Sequence, residues 1–225
     1  VGSEMCIRDR CCMMTKKIAV LAASGKVSRK VITEAVKRGF DVTAFARKPE
    51  NMTDAQHYVQ KDIADLTADD LKGFDAVVNG FGTWSPETLP QHSTLTEHLC
   101  SILSGSPVRL LIVGGAGYLF VDKEHTTTLM ETPDFPDDYK PVAGAMGQAL
   151  TGLRRHDDVN WTYVSPAADF RADGERTGKY ILAGEEFTLN GKGESIISYA
   201  DYAIAMVDEI EKGNHIKQRI SVVEA

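Results

Sequence analysis

The chain has 225 residues, with 25 Lys plus Arg against 32 Asp plus Glu and four Cys, and a length that fits one domain better than two. Its formal charge of −7 argues against a nucleic-acid backbone or an anionic membrane surface as the main partner, and 43% hydrophobic residues exclude wholesale disorder. No apolar run approaches the roughly 18–20 residues needed to cross a bilayer, so a soluble globular protein is expected.

Cys6, Cys11 and Cys12 all lie in the first twelve residues. Residues 1–12 show no useful periodicity, lack the apolar core of a secretory signal, and precede Met13 and Met14. They read as a non-native or mis-assigned extension, with residues 13–225 as the domain. A metal or redox tag is the alternative, but no His or further Cys completes a site there. Setting the leader aside removes Glu4, Arg8, Asp9 and Arg10, so the charge stays at −7 and one cysteine, Cys100, remains. That composition fits a reducing cytoplasm.

Beyond the leader, Lys17–Ala23 is a compact apolar run and Val27–Arg38 a helix-period segment closed by Gly39. Strands follow at Asp41–Ala46 and, more weakly, His57–Lys61. A short helix near Leu66–Leu71, capped by Thr67, leads to a strand at Asp75–Asn79. His92–Ser104 carries Leu95, Leu99, Ile102 and Leu103 on one helical face, and Val108–Gly114 is the most apolar strand. Asp138–Arg155 reads as a helix and Asn160–Ser165 as a sixth strand. Gly178–Leu189 reads as a small hairpin or extended excursion. Ser198–Asp201 begins a helix ending near Gly213, and Gln218–Val223 is a last strand. Strands alternating with helices predict an α/β fold: a Rossmann-type, doubly wound, mostly parallel sheet with helices on both faces and a small C-terminal substrate-side excursion.

The first strand runs into Ala22-Ala-Ser24-Gly25-Lys26-Val27-Ser28 and then a helix. Small residues there let the backbone approach a pyrophosphate seated on a helix N-terminus. The usual dinucleotide fingerprint has glycine where this chain has Ala22 and Ser28, so the bare pattern is weak and its strand–turn–helix context carries more weight; the alternative is an ordinary tight turn. At the end of strand two stands Arg47-Lys48, where an NAD site usually places a carboxylate. A guanidinium suits a ribose 2′-phosphate, so NADP(H) is preferred over NAD(H). Asp62 and Ile63, after strand three, are placed near the adenine, with a turn cap as the alternative role for Asp62.

The segments Lys17–Val27, Val42–Glu50, Asp75–Gly82, Arg109–Gly117, Asp158–Pro166, Gly174–Tyr180 and Ile197–Ala203 together resemble the atypical short-chain dehydrogenase/reductases. The nearest branch is the NmrA-like, NAD(P)H-binding proteins described as NADH-flavin reductases. The resemblance runs from Lys16 to Val223. It implies that Ala22, Ser24, Gly25, Lys26 and Val27 face the phosphates and Arg47 with Lys48 the 2′-phosphate. It also implies Gly80, Phe81 and Gly82 on the adenosine side, and Gly114, Gly115, Ser165 and Pro166 near the nicotinamide.

The wider family uses a Tyr followed four residues later by Lys for proton transfer; none of the seven tyrosines here has that Lys. Hydride transfer to a flavin or quinone asks less of the protein, because such an acceptor can take its proton from solvent. The expected activity is therefore an NADPH-dependent reductase acting on a planar small-molecule acceptor, with flavin a substrate rather than a bound cofactor. Trp84, Tyr118, Phe120 and Phe170 follow strand ends and are candidate pocket residues, with core packing as their alternative. Val121–Pro136 reads as a mobile covering loop. A non-catalytic NADP-binding redox sensor is the alternative reading, and a ketone reductase or isomerase using Tyr118 as acid a third. His92 and His98 are off helical metal-ligand spacing, so no metal is expected. Lys26, Arg29, Lys30, Lys37 and Arg38 read as the exposed basic face of the first helix.

Overall fold

The structure is a computed structural model and describes residues 15–225, so the expectations for residues 1–12, Met13 and Met14 fall outside the described residues. The strands are β1 (Lys17–Leu21), β2 (Asp41–Ala46), β3 (His57–Gln60), β4 (Ala76–Asn79), β5 (Arg109–Val113), β6 (Asn160–Ser165), β7 (Asp169–Arg171), β8 (Tyr180–Ala183), β9 (Ile196–Ser198) and β10 (Gln218–Glu224). The helices are α1 (Lys26–Lys37), α2 (Ala68–Leu71), α3 (Gln91–Leu103), α4 (Lys140–Leu153) and α5 (Tyr199–Lys212).

Eight strands form one sheet in the order β3-β2-β1-β4-β5-β6-β10-β8. All pair in parallel except β8, which runs antiparallel to β10. The first six positions follow the doubly wound order, so the chain reverses its direction of growth between β1 and β4. In such sheets the crevice at that switch point, outside the carboxyl ends of the strands, holds the ligand.

Both faces of the sheet are covered, which is why β1 is an unbroken apolar run rather than an alternating one. Ile18 and Val20 pack with Val31, Ile32 and Ala35 of α1 and Met206, Val207 and Ile210 of α5. Ala19 and Leu21 face the other way, among Leu95, Leu99 and Leu103 of α3 and Leu150 and Leu153 of α4. Each such Leu or Ile, withdrawn from water, contributes about 1.5–3 kcal/mol of transfer free energy. β3 reads weakly in the sequence because it is an edge strand with His57, Val59 and Gln60 exposed.

The excursion differs from a hairpin. β8 joins the main sheet beside β10, Val222 opposite Leu182, and the chain after it runs back to pair Glu186 with Phe120. β7 and β9, three residues each, form a separate two-stranded parallel sheet that the sequence did not announce. Segment 121–136 is internally braced rather than loose. The Asp122 carboxylate accepts from the Thr126 and Thr127 amides (3.0 and 3.1 Å), and Glu131 accepts from the amide and hydroxyl of Thr128 (2.7 and 2.8 Å). The Leu129 and Met130 amides bind the carbonyls of Leu119 and Gly117. Among the described residues no helix is long and apolar enough to cross a membrane.

Candidate functional site

β1 stops at Leu21 rather than Ala23 because Ala22 turns into the left-handed region, φ 51°. Glycine enters that region without cost, whereas an L residue with a Cβ pays about 1–2 kcal/mol. The turn is closed by the Gly25 amide on the Ala22 carbonyl (3.0 Å) and fastened to β2 by the Ala23 amide on the Phe45 carbonyl (3.0 Å). Gly25 then caps α1 without any side-chain hydrogen bond, and no acidic residue lies in the first turn. The leading amides of α1 are left for an anion, with the positive end of the helix dipole behind them. Ser24 and Lys26 stand exposed at this end, and Val27 is half-buried.

Ser28 occupies the place of the fingerprint's last glycine, and the fold accommodates it from the opposite side. Its side chain is wholly buried, with Oγ donating to the Leu21 carbonyl (3.4 Å). It fits because residue 80 has no side chain: a Cβ there would lie 1.9 Å from the Ser28 Oγ. Close approach of α1 to the sheet thus depends on Gly80, at the end of β4, rather than on a glycine in the helix.

Arg47 leaves the end of β2 with its side chain 83% exposed, Nε 3.8 Å from the Asp62 carboxylate. Asp62 takes the capping role, accepting from the Ala64 amide (3.0 Å), and Ile63 is buried in the core below it. An exposed pair at this distance is worth under about 1 kcal/mol, so it does not hold Arg47 strongly. Edge strand β3 instead holds the backbone: Gln60 donates to the Arg47 carbonyl (3.0 Å) and the Tyr58 hydroxyl to that of Lys48. Both cationic side chains remain in solvent.

Across the switch point, the Asn79 side chain accepts from the Phe81 amide (3.1 Å) and shapes the turn at Gly80–Gly82. Phe81 packs edge-on to His92 (5.3 Å), whose Nε2 lies 3.2 Å from the Thr83 carbonyl. Burial lowers the His92 pKa, with the Thr83 contact opposing. A lowered folded pKa means the unfolded chain binds the proton more readily, so this contribution to stability is full above about pH 6.5 and is lost as pH falls through the folded value. Thermal denaturation from about pH 7.5 to about pH 5 should therefore show a steeper loss of Tm for the wild type than for His92→Gln; equal slopes would remove His92 as the cause.

Beyond β5, a Cβ on Gly114 would meet the Tyr163 ring at 2.1 Å. The Gly115 amide donates to the Tyr163 hydroxyl (3.3 Å), and burial pushes that phenol up to about 12, so it stays protonated. Ser165 ends β6 just before Pro166, wholly buried, with an Oγ that has no hydrogen-bond partner. An orphaned hydroxyl of this kind calls for explanation, and it lies at the carboxyl end of a central strand.

Of the aromatic candidates, Trp84 is brought to Tyr139, edge to face at 5.4 Å, and the two are 64% and 49% exposed. They stand just before α3 and α4, the helices that leave the carboxyl ends of β4 and β5. The Tyr118 ring lies over Gly147 of α4, where a Cβ would meet it at 2.0 Å, and its hydroxyl has no hydrogen-bond partner among the described residues. Phe120 and Phe170 are not brought to the Trp84 pair. Phe120 stacks on His125 (4.5 Å) beneath the Arg219 guanidinium, and Phe170 packs on Tyr199 and Tyr202 of α5. Among the described residues no group of three or more His, Cys, Asp or Glu is placed to hold a metal.

An uncapped α1 N-terminus after a small-residue turn fits a bound dinucleotide. Residues 22–212 match the model of the family described as NAD(P)H-binding. The chain belongs to that NAD(P)H-binding family. It is 54% identical to a Streptococcus pneumoniae TIGR4 protein described as a "putative NADH-flavin reductase", with a TM-score of 0.91 over 93% of this chain and 100% of that one. It is 46% identical over 209 residues to the "uncharacterized protein YwnB" of Bacillus subtilis strain 168, covering 92% of this chain and 98% of the relative. A Bacteroides thetaiotaomicron protein described as a "putative epimerase" is 33% identical, with a TM-score of 0.81 over 94% and 98% of the two chains. The matched span of this NAD(P)H-binding chain starts at the turn after β1 and ends with α5.

Proposed function

We propose that this chain is an NADPH-dependent reductase that passes hydride to a planar acceptor, a flavin or a quinone. The observation that carries the reading is the N-terminus of α1 after the turn at residues 22–25, where no side chain caps the leading amides, with Arg47 exposed at the end of β2. The amides of the first turn of α1 would hold the pyrophosphate, and Arg47 with Lys48 the 2′-phosphate. Ser165, wholly buried at the end of β6, would underlie the nicotinamide side rather than touch the ring. The cofactor, when bound, supplies the hydride; the chain positions two flat rings and excludes water between them. Trp84 and Tyr139 supply an exposed aromatic surface on which a flat acceptor can stack.

The test is titration with NADPH and NADH by fluorescence, followed by loss of reduced-nicotinamide absorbance with FMN or a quinone. Binding of NADPH well below about 1 mM with acceptor-dependent oxidation is expected. Saturable binding without oxidation would leave the sensor role in its place, and no binding would remove the cofactor reading altogether. Trp84→Ala should raise the KM for the acceptor about 2- to 10-fold, the worth of one aromatic contact, with NADPH affinity unchanged.

A further inference from the structure

We propose that Arg29 is a second guanidinium for the ribose 2′-phosphate, gripping it from the α1 side while Arg47 reaches it from β2. This inference rests on the NADPH reading above. Arg29 stands in the first turn of α1, and its environment sets it apart from a solvated helix face. It is half-buried, and its Nε is enclosed without any hydrogen-bond partner. The polar contact recorded for the rest of the guanidinium is a weak one, Nη2 to the Met52 Sδ at 3.9 Å. Arg38, Arg109, Arg154, Arg171, Arg176 and Arg219 each meet a carboxylate. Arg29 meets none among the described residues. A guanidinium carries five donors in a fixed fork; with Nε enclosed and unpartnered and no carboxylate on the rest of the fork, Arg29 has donors to offer an anion.

The position says which anion. Met52 belongs to the segment after β2 that begins with Arg47 and Lys48, and Thr33 of α1 is tied to the same segment through Asp54 (2.6 Å). The turn before α1 is fastened to the end of β2 by the Ala23–Phe45 bond. Arg29 and Arg47 therefore border one corner from two elements. The carboxylate near this corner, Asp62, is turned to capping the Ala64 amide through Oδ1. Two guanidinium forks bordering one corner suit a dianionic phosphomonoester.

Calorimetric titration of the full chain with NADPH, NADH, 2′,5′-ADP and 5′-ADP tests this. Arg29→Met keeps an unbranched apolar stem against Met52 while removing the fork. It should weaken NADPH and 2′,5′-ADP about tenfold and leave NADH and 5′-ADP within about twofold, with Arg29→Lys recovering part of the loss. Equal weakening of all four ligands would show a packing role and overturn the proposal, as would unchanged NADPH affinity. Wild-type protein that binds neither dinucleotide would overturn the cofactor reading with it. Wild-type binding that Arg29→Met leaves intact overturns the Arg29 assignment alone.

Discussion

Gly80→Ala is expected to cost about 1–3 kcal/mol of stability, a fall in Tm of about 2–10 °C for a chain of this size, and to weaken dinucleotide binding with it. The added Cβ would sit 1.9 Å from the Ser28 Oγ, 3.2 Å from its Cβ and 3.3 Å from the Leu21 carbonyl oxygen. Rotating the serine hydroxyl away relieves only the first contact and breaks its bond to Leu21. The Ser28 Cβ contact can open only by moving α1 away from β4, which carries the leading amides of α1 off the turn at residues 22–25, while the Leu21 contact, to β1, stays tight. Ser28→Gly in the same chain should restore most of the loss, less about 1 kcal/mol for glycine in a helix. A thermal double-mutant cycle checks the pair. If the two substitutions merely add, Ser28 and Gly80 are not packed against each other in the way described.

Arg47→Ala is expected to raise the Kd for NADPH about 10- to 100-fold while NADH stays within about twofold. Charge-assisted hydrogen bonds to a phosphate are worth roughly 1.5–3 kcal/mol, and each 1.4 kcal/mol is tenfold in affinity. The folded state should be almost indifferent, because the side chain is 83% exposed and its pair with Asp62 is long. Parallel titrations with both nucleotides and a denaturation curve separate the two effects. An unchanged preference between NADPH and NADH would move the 2′-phosphate away from Arg47.

The elements easiest to read in the sequence were those buried on both faces. β1, β4 and β5 are short apolar runs because helices cover both sides of the sheet, and their length suits a strand better than a helix. β8 was harder, since Tyr180–Ala183 is an edge strand of mixed exposure, and it reads like half of a hairpin until β10 lies beside it. β7 and β9 have too few residues to show a period. Segment 121–136 looks loose in composition, with two prolines and three consecutive threonines. Its Asp122, Thr128 and Glu131 nevertheless staple it internally.

Aromatic residues past strand ends are ambiguous by nature. Phe120 and Phe170 satisfy the same pattern as Trp84, but Arg219 and α5 claim them. Nothing local marks Tyr139, which directly precedes α4, as a partner for Trp84. By the same logic the helical period places Arg29 on the basic face of α1. A helical period says which side of a helix a residue occupies, not which loop will later fold over it.

The order of β1 to β6, of the helices and of the last strand, the small-residue turn after β1 and the cation after β2 were determined by the sequence alone, because each rests on residues within a few positions of one another. The accommodation of Ser28 by Gly80, the pairing of Trp84 with Tyr139 and the contact of Arg29 with Met52 were decided only by the tertiary structure. Those contacts join segments 23 to 55 residues apart in the chain. Strand order and loop path bring such segments together, and no local pattern encodes the distance between them.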